Sequence, residues 1–173
     1  MFIIEPIKAE EASGELKLLY KKIQKTLGFI PPHFELFATI DMQSLEEFVK
    51  YNLYFSKHPS IDAKILPFLR LCIAQKECRK YCIGFNTKIL ISNGAKQEVL
   101  NDICSNIKEL PFNMEQKLLL SKVIYAIYNA DKFGSDDLKE LYNVNFTDKD
   151  FYELLNYATN FMAKSKMIEI YMK

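Results

Sequence analysis

Glycine and proline are scarce in this chain, five and six among 173 residues, and valine is scarce beside Leu, Ile, Lys and Glu. These shortages disfavour a sheet, whose strands draw on β-branched residues, and favour helices. An excess of charge is also lacking, since 23 Lys and Arg stand against 22 Asp and Glu. A net charge of +1 leaves no basic surplus for a phosphate backbone, so nucleic acid is not an expected partner. No stretch approaches the ~20 apolar residues of a membrane span, so no membrane association is expected. The segment from Met1 to Pro6 has no basic region, and its apolar run is too short for a secretory signal. A cytoplasmic protein is therefore expected. In that compartment four cysteines point to thiols, transient redox chemistry or buried packing rather than structural disulfides. The two histidines are remote in sequence from the cysteines, so neither a metal nor a cofactor is expected.

What is present is a hydrophobic fraction of 49%, enough for one compact core. The expected fold is all-α, a single domain over residues 1–173 with about seven or eight helices. Residues 11–27 carry Leu16, Leu19, Tyr20, Ile23 and Leu27 at helical spacing, closed by Gly28. A short helix is predicted from Pro32 to Ile40, and a third from Ser44, where Ser44–Glu47 has the form of a capping box. Residues 61–76 are apolar nearly all round, with Pro67 bending the helix or confining it to a later start. Further helices are predicted after Cys78, over 95–107, from Asn113 to about Ala130, from Ser135 to Tyr142, and from Thr147 onward. Ser60–Lys64 and Asn93–Val99 echo Asn113–Lys117 and Asn145–Phe151 at an offset of 52 or 53 residues. That echo is compatible with two pseudo-repeated helical units and also with chance.

The stretch from Cys78 to Asn86 interrupts the most apolar part of the chain with two cysteines, two cations and an amide. If it is helical throughout, Cys78, Cys82 and Asn86 share one face. If the helix begins after Cys78, that cysteine lies in a loop and the geometric obstacle to a Cys78–Cys82 disulfide relaxes. Arg79 and Lys80 are the nearby cations that would stabilise a Cys82 thiolate. Asn86 can donate a hydrogen bond to sulfur, but it cannot shuttle protons near neutral pH. Glu77 is a candidate carboxylate, and His33 and His58 are candidate bases that most simply read as turn residues. Cys72 and Cys104 read as core residues, each in a helix.

Tyr81-Cys82, Asn86, Lys88, Ile89-Leu90 and Asn93-Gly94 resemble the tail of the Cys-x-x-Cys-x-x-x-His motif of the AhpD-like, or carboxymuconolactone decarboxylase-like, family. Gly14–Tyr20, Leu27–Pro31 and Phe146–Asp150 resemble its lead-in and its C-terminal helix start, so the likeness spans most of the chain around a core motif region of about 60–107. The resemblance implies an all-α helical fold with an antiparallel helix pair flanking Cys82, which would lie in a helix's first turns. It also implies symmetric homo-oligomers and hydroperoxide reduction by the second motif cysteine, here Cys82, with a resolving cysteine and an external thiol reductant. Departures accompany it: Arg79 stands where the first cysteine belongs, Asn86 replaces the histidine, and Pro67 occupies the place of the relay glutamate. Cys78 is then the stand-in for the resolving thiol. The expected function is hydroperoxide reduction or sensing through Cys82. The alternative is a catalytically silent member serving as an oligomeric binding or scaffold module, and lactone decarboxylation ranks last.

Overall fold

A computed structural model describes residues 2–172 of the chain. Among the described residues there are nine α-helices, one 3-10 turn and no strand, against the seven or eight helices expected. Two compact units are distinguished: residues up to Lys57 together with the chain end from Ile170, and His58–Glu169.

The first unit holds α1 (Gly14–Leu27), α2 (Pro32–Ile40) and α3 (Met42–Phe55). Gly28 ends α1 at φ 80°, a left-handed position natural to glycine, with its N–H on the Gln24 carbonyl. Pro32 opens α2, where the missing N–H costs nothing. The capping box expected at Ser44 is not the start of α3. Asp41 caps it earlier, its Oδ1 accepting from the Gln43 N–H at 3.1 Å. The chain ends meet within this unit, Phe2 pairing with Met172 in an isolated antiparallel bridge.

The second unit holds α4 (Ile65–Lys76), α5 (Lys80–Ser92), α6 (Gln97–Asn101), α7 (Met114–Tyr128) and α8 (Ser135–Tyr142). It also holds α9 (Asp148–Tyr171) as far as Glu169. Helix α4 packs against α5 and α7. Its Ile65, Leu69, Leu71, Cys72, Ile73 and Ala74 are fully buried, as its nearly continuous apolar surface requires. Pro67 has the effect of a later start: as the third residue of α4 it belongs to the first turn, whose N–H groups have no helical acceptor.

The helix expected over 95–107 is shorter, because Asp102 ends α6. Its carboxylate accepts from the Ser105 N–H at 3.3 Å and the Ser105 hydroxyl at 2.7 Å, a local turn that competes with helix. At the start of α9, Thr147 and Asp150 cap each other: Thr147 N–H donates to Asp150 Oδ2 at 2.7 Å and Asp150 N–H to Thr147 Oγ1 at 3.2 Å. The two echoed helix starts meet. Gln116 donates to the Ser60 carbonyl at 2.7 Å and accepts from the Asp62 N–H at 3.2 Å.

Candidate functional site

The turn between α4 and α5 sets the positions of both free cysteines. Arg79 N–H returns to the Ala74 carbonyl at 2.8 Å and Cys78 N–H to the Gln75 carbonyl at 3.1 Å. These are the two bonds of a Schellman motif, which places the residue after the cap in the left-handed region, where glycine is usual. Here that residue is Cys78, at φ 54°. Cys78 is therefore outside both helices and exposed, and it does not share a helical face with Cys82 and Asn86.

Cys82 is the third residue of α5, only 3% exposed. The two thiols are free, with no bond between them. Burial pushes the Cys82 thiol up from 9.0 to about 11; the guanidinium groups of Arg79 and Arg70 pull it down, and the Glu169 carboxylate adds to the rise. The expectation that nearby cations would leave a low-pKa thiol is thus corrected, because desolvation outweighs them. Lys80, expected as an activator, is exposed and does not figure among the charges acting on the thiol. Arg79 does. Its guanidinium reaches Glu169 and, at 3.2 Å, Glu77, while its Nε is buried without a hydrogen-bond partner.

Asn86 is 1% exposed and faces its own turn rather than the sulfur. Its Nδ2 donates to the Cys82 carbonyl at 2.8 Å, and its Oδ1 accepts from Arg70 Nε at 2.8 Å. Those two partners fix the orientation of the amide. Arg70 Nη1 in turn donates to the Tyr157 hydroxyl on α9. A chain of hydrogen bonds thus runs from the turn that carries Cys82 through Asn86 and Arg70 to α9.

The remaining candidates lie elsewhere. Glu77 pairs with Arg79 and, with burial as the larger cause, raises the phenol of Tyr128. Among the described residues, His33 belongs to α2, edge-on to Phe34 at 4.8 Å. His58 accepts at Nδ1 from the N–H groups of Ser60 and Ile61, which puts its proton on Nε2, 2.8 Å from Glu153 Oε2. It therefore organises the loop before α4. A cavity of about 380 Å³ lies beside that loop, lined by His58–Asp62, Pro111–Asn113 and Gln116, and it does not include Cys82. Among the described residues no three His, Cys, Asp or Glu side chains are grouped to hold a metal ion.

Two expectations are corrected: that Cys72 and Cys104 are separate core residues, and that the cysteines form no structural disulfide. Cys72 and Cys104 form a disulfide, with Cα atoms 5.5 Å apart, inside the usual range of about 4.4–6.8 Å. Cys104 lies in the turn after α6, not in a helix. Gln75, one turn beyond Cys72 on α4, holds the same segment by donating to the Leu100 carbonyl at 2.7 Å and accepting from the Ile103 N–H at 3.1 Å. Sequence reading also missed Arg70, Tyr157 and Glu169. Arg70 carried a signal, as the only charged residue between Ile65 and Ala74 and one of two arginines in the chain.

The arrangement of helices around this turn can be set beside solved structures. One is an uncharacterized peroxidase-related protein from Ralstonia eutropha JMP134, described as an alkylhydroperoxidase AhpD core. It superposes with a TM-score of 0.75 at 15% identity, over 96% of this chain and 88% of that one. The chain has the AhpD fold. An uncharacterized peroxidase-related protein from Silicibacter sp. TM1040 shares this fold with a TM-score of 0.74 at 14% identity, over 97% of this chain and 85% of that one. No protein-family model and no curated protein matches the sequence. The AhpD fold explains the order of the elements; at such identities it leaves the chemistry to be argued from the residues. No helix among the described residues is long and apolar enough to cross a membrane.

Proposed function

We propose that this protein reduces or senses hydroperoxides through the Cys82 thiol. The observation that carries the reading is the position of Cys82: in the first turn of α5 of an AhpD fold, with Arg70 and Arg79 acting on its sulfur. The sulfur attacks the terminal oxygen of a hydroperoxide, forming an S–O bond as the O–O bond breaks. The departing alkoxide takes a proton and leaves as an alcohol; the sulfur is oxidised by two electrons and the peroxide reduced by two. A second thiol then displaces the hydroxyl of the sulfenic acid as water, leaving a disulfide that an external thiol reductant returns to thiols. Cys78 or the external thiol takes that part. The protein works as one AhpD-like domain over residues 1–173, in a homo-oligomer.

The contrary reading, a catalytically silent binding or scaffold module, has an observation of its own. A thiol held at about 11 is almost wholly protonated at neutral pH, and Asn86 stands where a proton-accepting histidine would be needed. Turnover separates the two. Peroxide consumption with a dithiol reductant is expected for the intact protein and is expected to vanish in Cys82→Ser. Consumption equal in the two proteins would refute the role of Cys82, and none in either would favour the silent module.

A further inference from the structure

Arg70 is a cation in the wrong company. It lies half-buried on α4, between the buried Phe68, Leu69, Leu71 and Cys72, where a guanidinium is ordinarily accompanied by an anion. No carboxylate does so among the described residues: its partners are the neutral Oδ1 of Asn86 and the neutral hydroxyl of Tyr157. Arg79, the chain's other arginine, differs in having both Glu77 and Glu169. The twenty-one other cations are lysines, so the two guanidinium groups of the chain are both spent on this site.

We propose that Arg70 is the counter-cation for the anionic forms of Cys82, held by Asn86 and Tyr157 with its charge uncompensated until the sulfur becomes thiolate or sulfenate. The proposal rests on the reading of Cys82 as a reacting thiol and names the residue that takes up the electrostatic part of the missing histidine. Asn86 is what makes the placement definite. It bonds Arg70 with one end of its amide and the Cys82 carbonyl with the other, so the guanidinium and the turn carrying the sulfur move together. Arg70 thereby acts as a positioning residue. The other charges on Cys82 divide between Arg79, which is already paired, and Glu169 on α9, which opposes ionisation.

The test is the rate of Cys82 alkylation by neutral iodoacetamide from pH 7 to 9.5, in a Cys78→Ser background. Below the thiol pKa the logarithm of the rate rises linearly with pH. Arg70→Gln, which removes the charge and keeps hydrogen-bond donors, is expected to lower the whole line in parallel by about tenfold or more. Arg70→Lys is expected to recover most of that loss. Equal losses in both variants, or no loss in Arg70→Gln, overturn the proposal.

A measurement without substitution at Arg70 guards against misfolding. With the same background, the ratio of iodoacetate to iodoacetamide reactivity at Cys82 is expected to be severalfold higher than for a free cysteine in solution. A ratio no higher than that of free cysteine overturns the proposal, as does a Cys82 that neither reagent modifies. If Cys82 shows this Arg70 dependence yet yields no sulfenic acid with hydroperoxide, the peroxide reading fails and the counter-cation stands.

Discussion

The four cysteines form two pairs that invert what their spacing suggests. Cys78 and Cys82 are four residues apart and remain separate thiols, one exposed and one buried. Cys72 and Cys104 are 32 residues apart and are joined. The difference lies in the backbone that presents each pair. Cys78 is held by the Schellman turn outside α5 while Cys82 points into the core from α5. Cys104 is carried onto α4 by a loop that Gln75 clamps and Asp102 turns. One pair ties α4 to the turn after α6, and the other stays as two free thiols beside it.

The largest effect is expected from breaking the joined pair. A disulfide closing a loop of this length contributes about 3–4 kcal/mol through the unfolded chain. Cys104→Ser, or reduction of the intact protein, should lower the melting temperature by about 10 °C. An unchanged melting temperature would show that the Cys72–Cys104 bond does not fasten α4.

The buried thiol of the open pair should show itself in alkali. Its pKa is raised in the folded state, so the unfolded chain loses this proton first as the pH rises. The stabilising contribution is complete below about pH 9 and is lost by about pH 11, amounting to about 2–3 kcal/mol. Denaturant titrations from pH 8 to 11 should therefore show the protein losing that much more stability than Cys82→Ala. The comparison between variants removes the tyrosines, among them Tyr20, which burial raises to about 12. Parallel curves for the two proteins would mean that the Cys82 thiol is not desolvated.

The smallest effect belongs to Cys78. Glycine relieves the left-handed strain at this position but adds freedom to the unfolded chain, so Cys78→Gly should stabilise by at most about 1 kcal/mol, read from denaturant unfolding. A loss of more than about 1 kcal/mol would reveal a packing role that the exposed side chain does not suggest.

Much of the fold was legible because local signals agreed with tertiary packing. Proline at the first position of α2 and the carboxylates opening α8 gave those helices their observed limits. Gly28, Asn113 and Thr147 capped where their chemistry allows. The 95–107 helix failed because Asp102 bonds its own turn, a competition that apolar spacing does not reveal. At the site, Cys82 and Asn86 could be read from a motif, while their surroundings could not. Tyr157 lies 87 residues from Arg70, and Glu169 lies 90 from Arg79, distances over which no local pattern operates. Burial misled most: Arg79 and Lys80 suggested an activated thiol, but neighbouring charge in sequence says nothing of the desolvation that wins at Cys82.

The residue-level form of the peroxide experiment tests the central claim most directly. The folded, oxidised protein is treated with hydroperoxide in the presence of a sulfenic-acid trap, and each cysteine is mapped by mass spectrometry before and after. The account expects Cys72 and Cys104 to remain joined throughout and the oxidation to begin at Cys82, as trapped sulfenic acid or as a disulfide with Cys78. Oxidation confined to exposed Cys78, with Cys82 untouched, would contradict it.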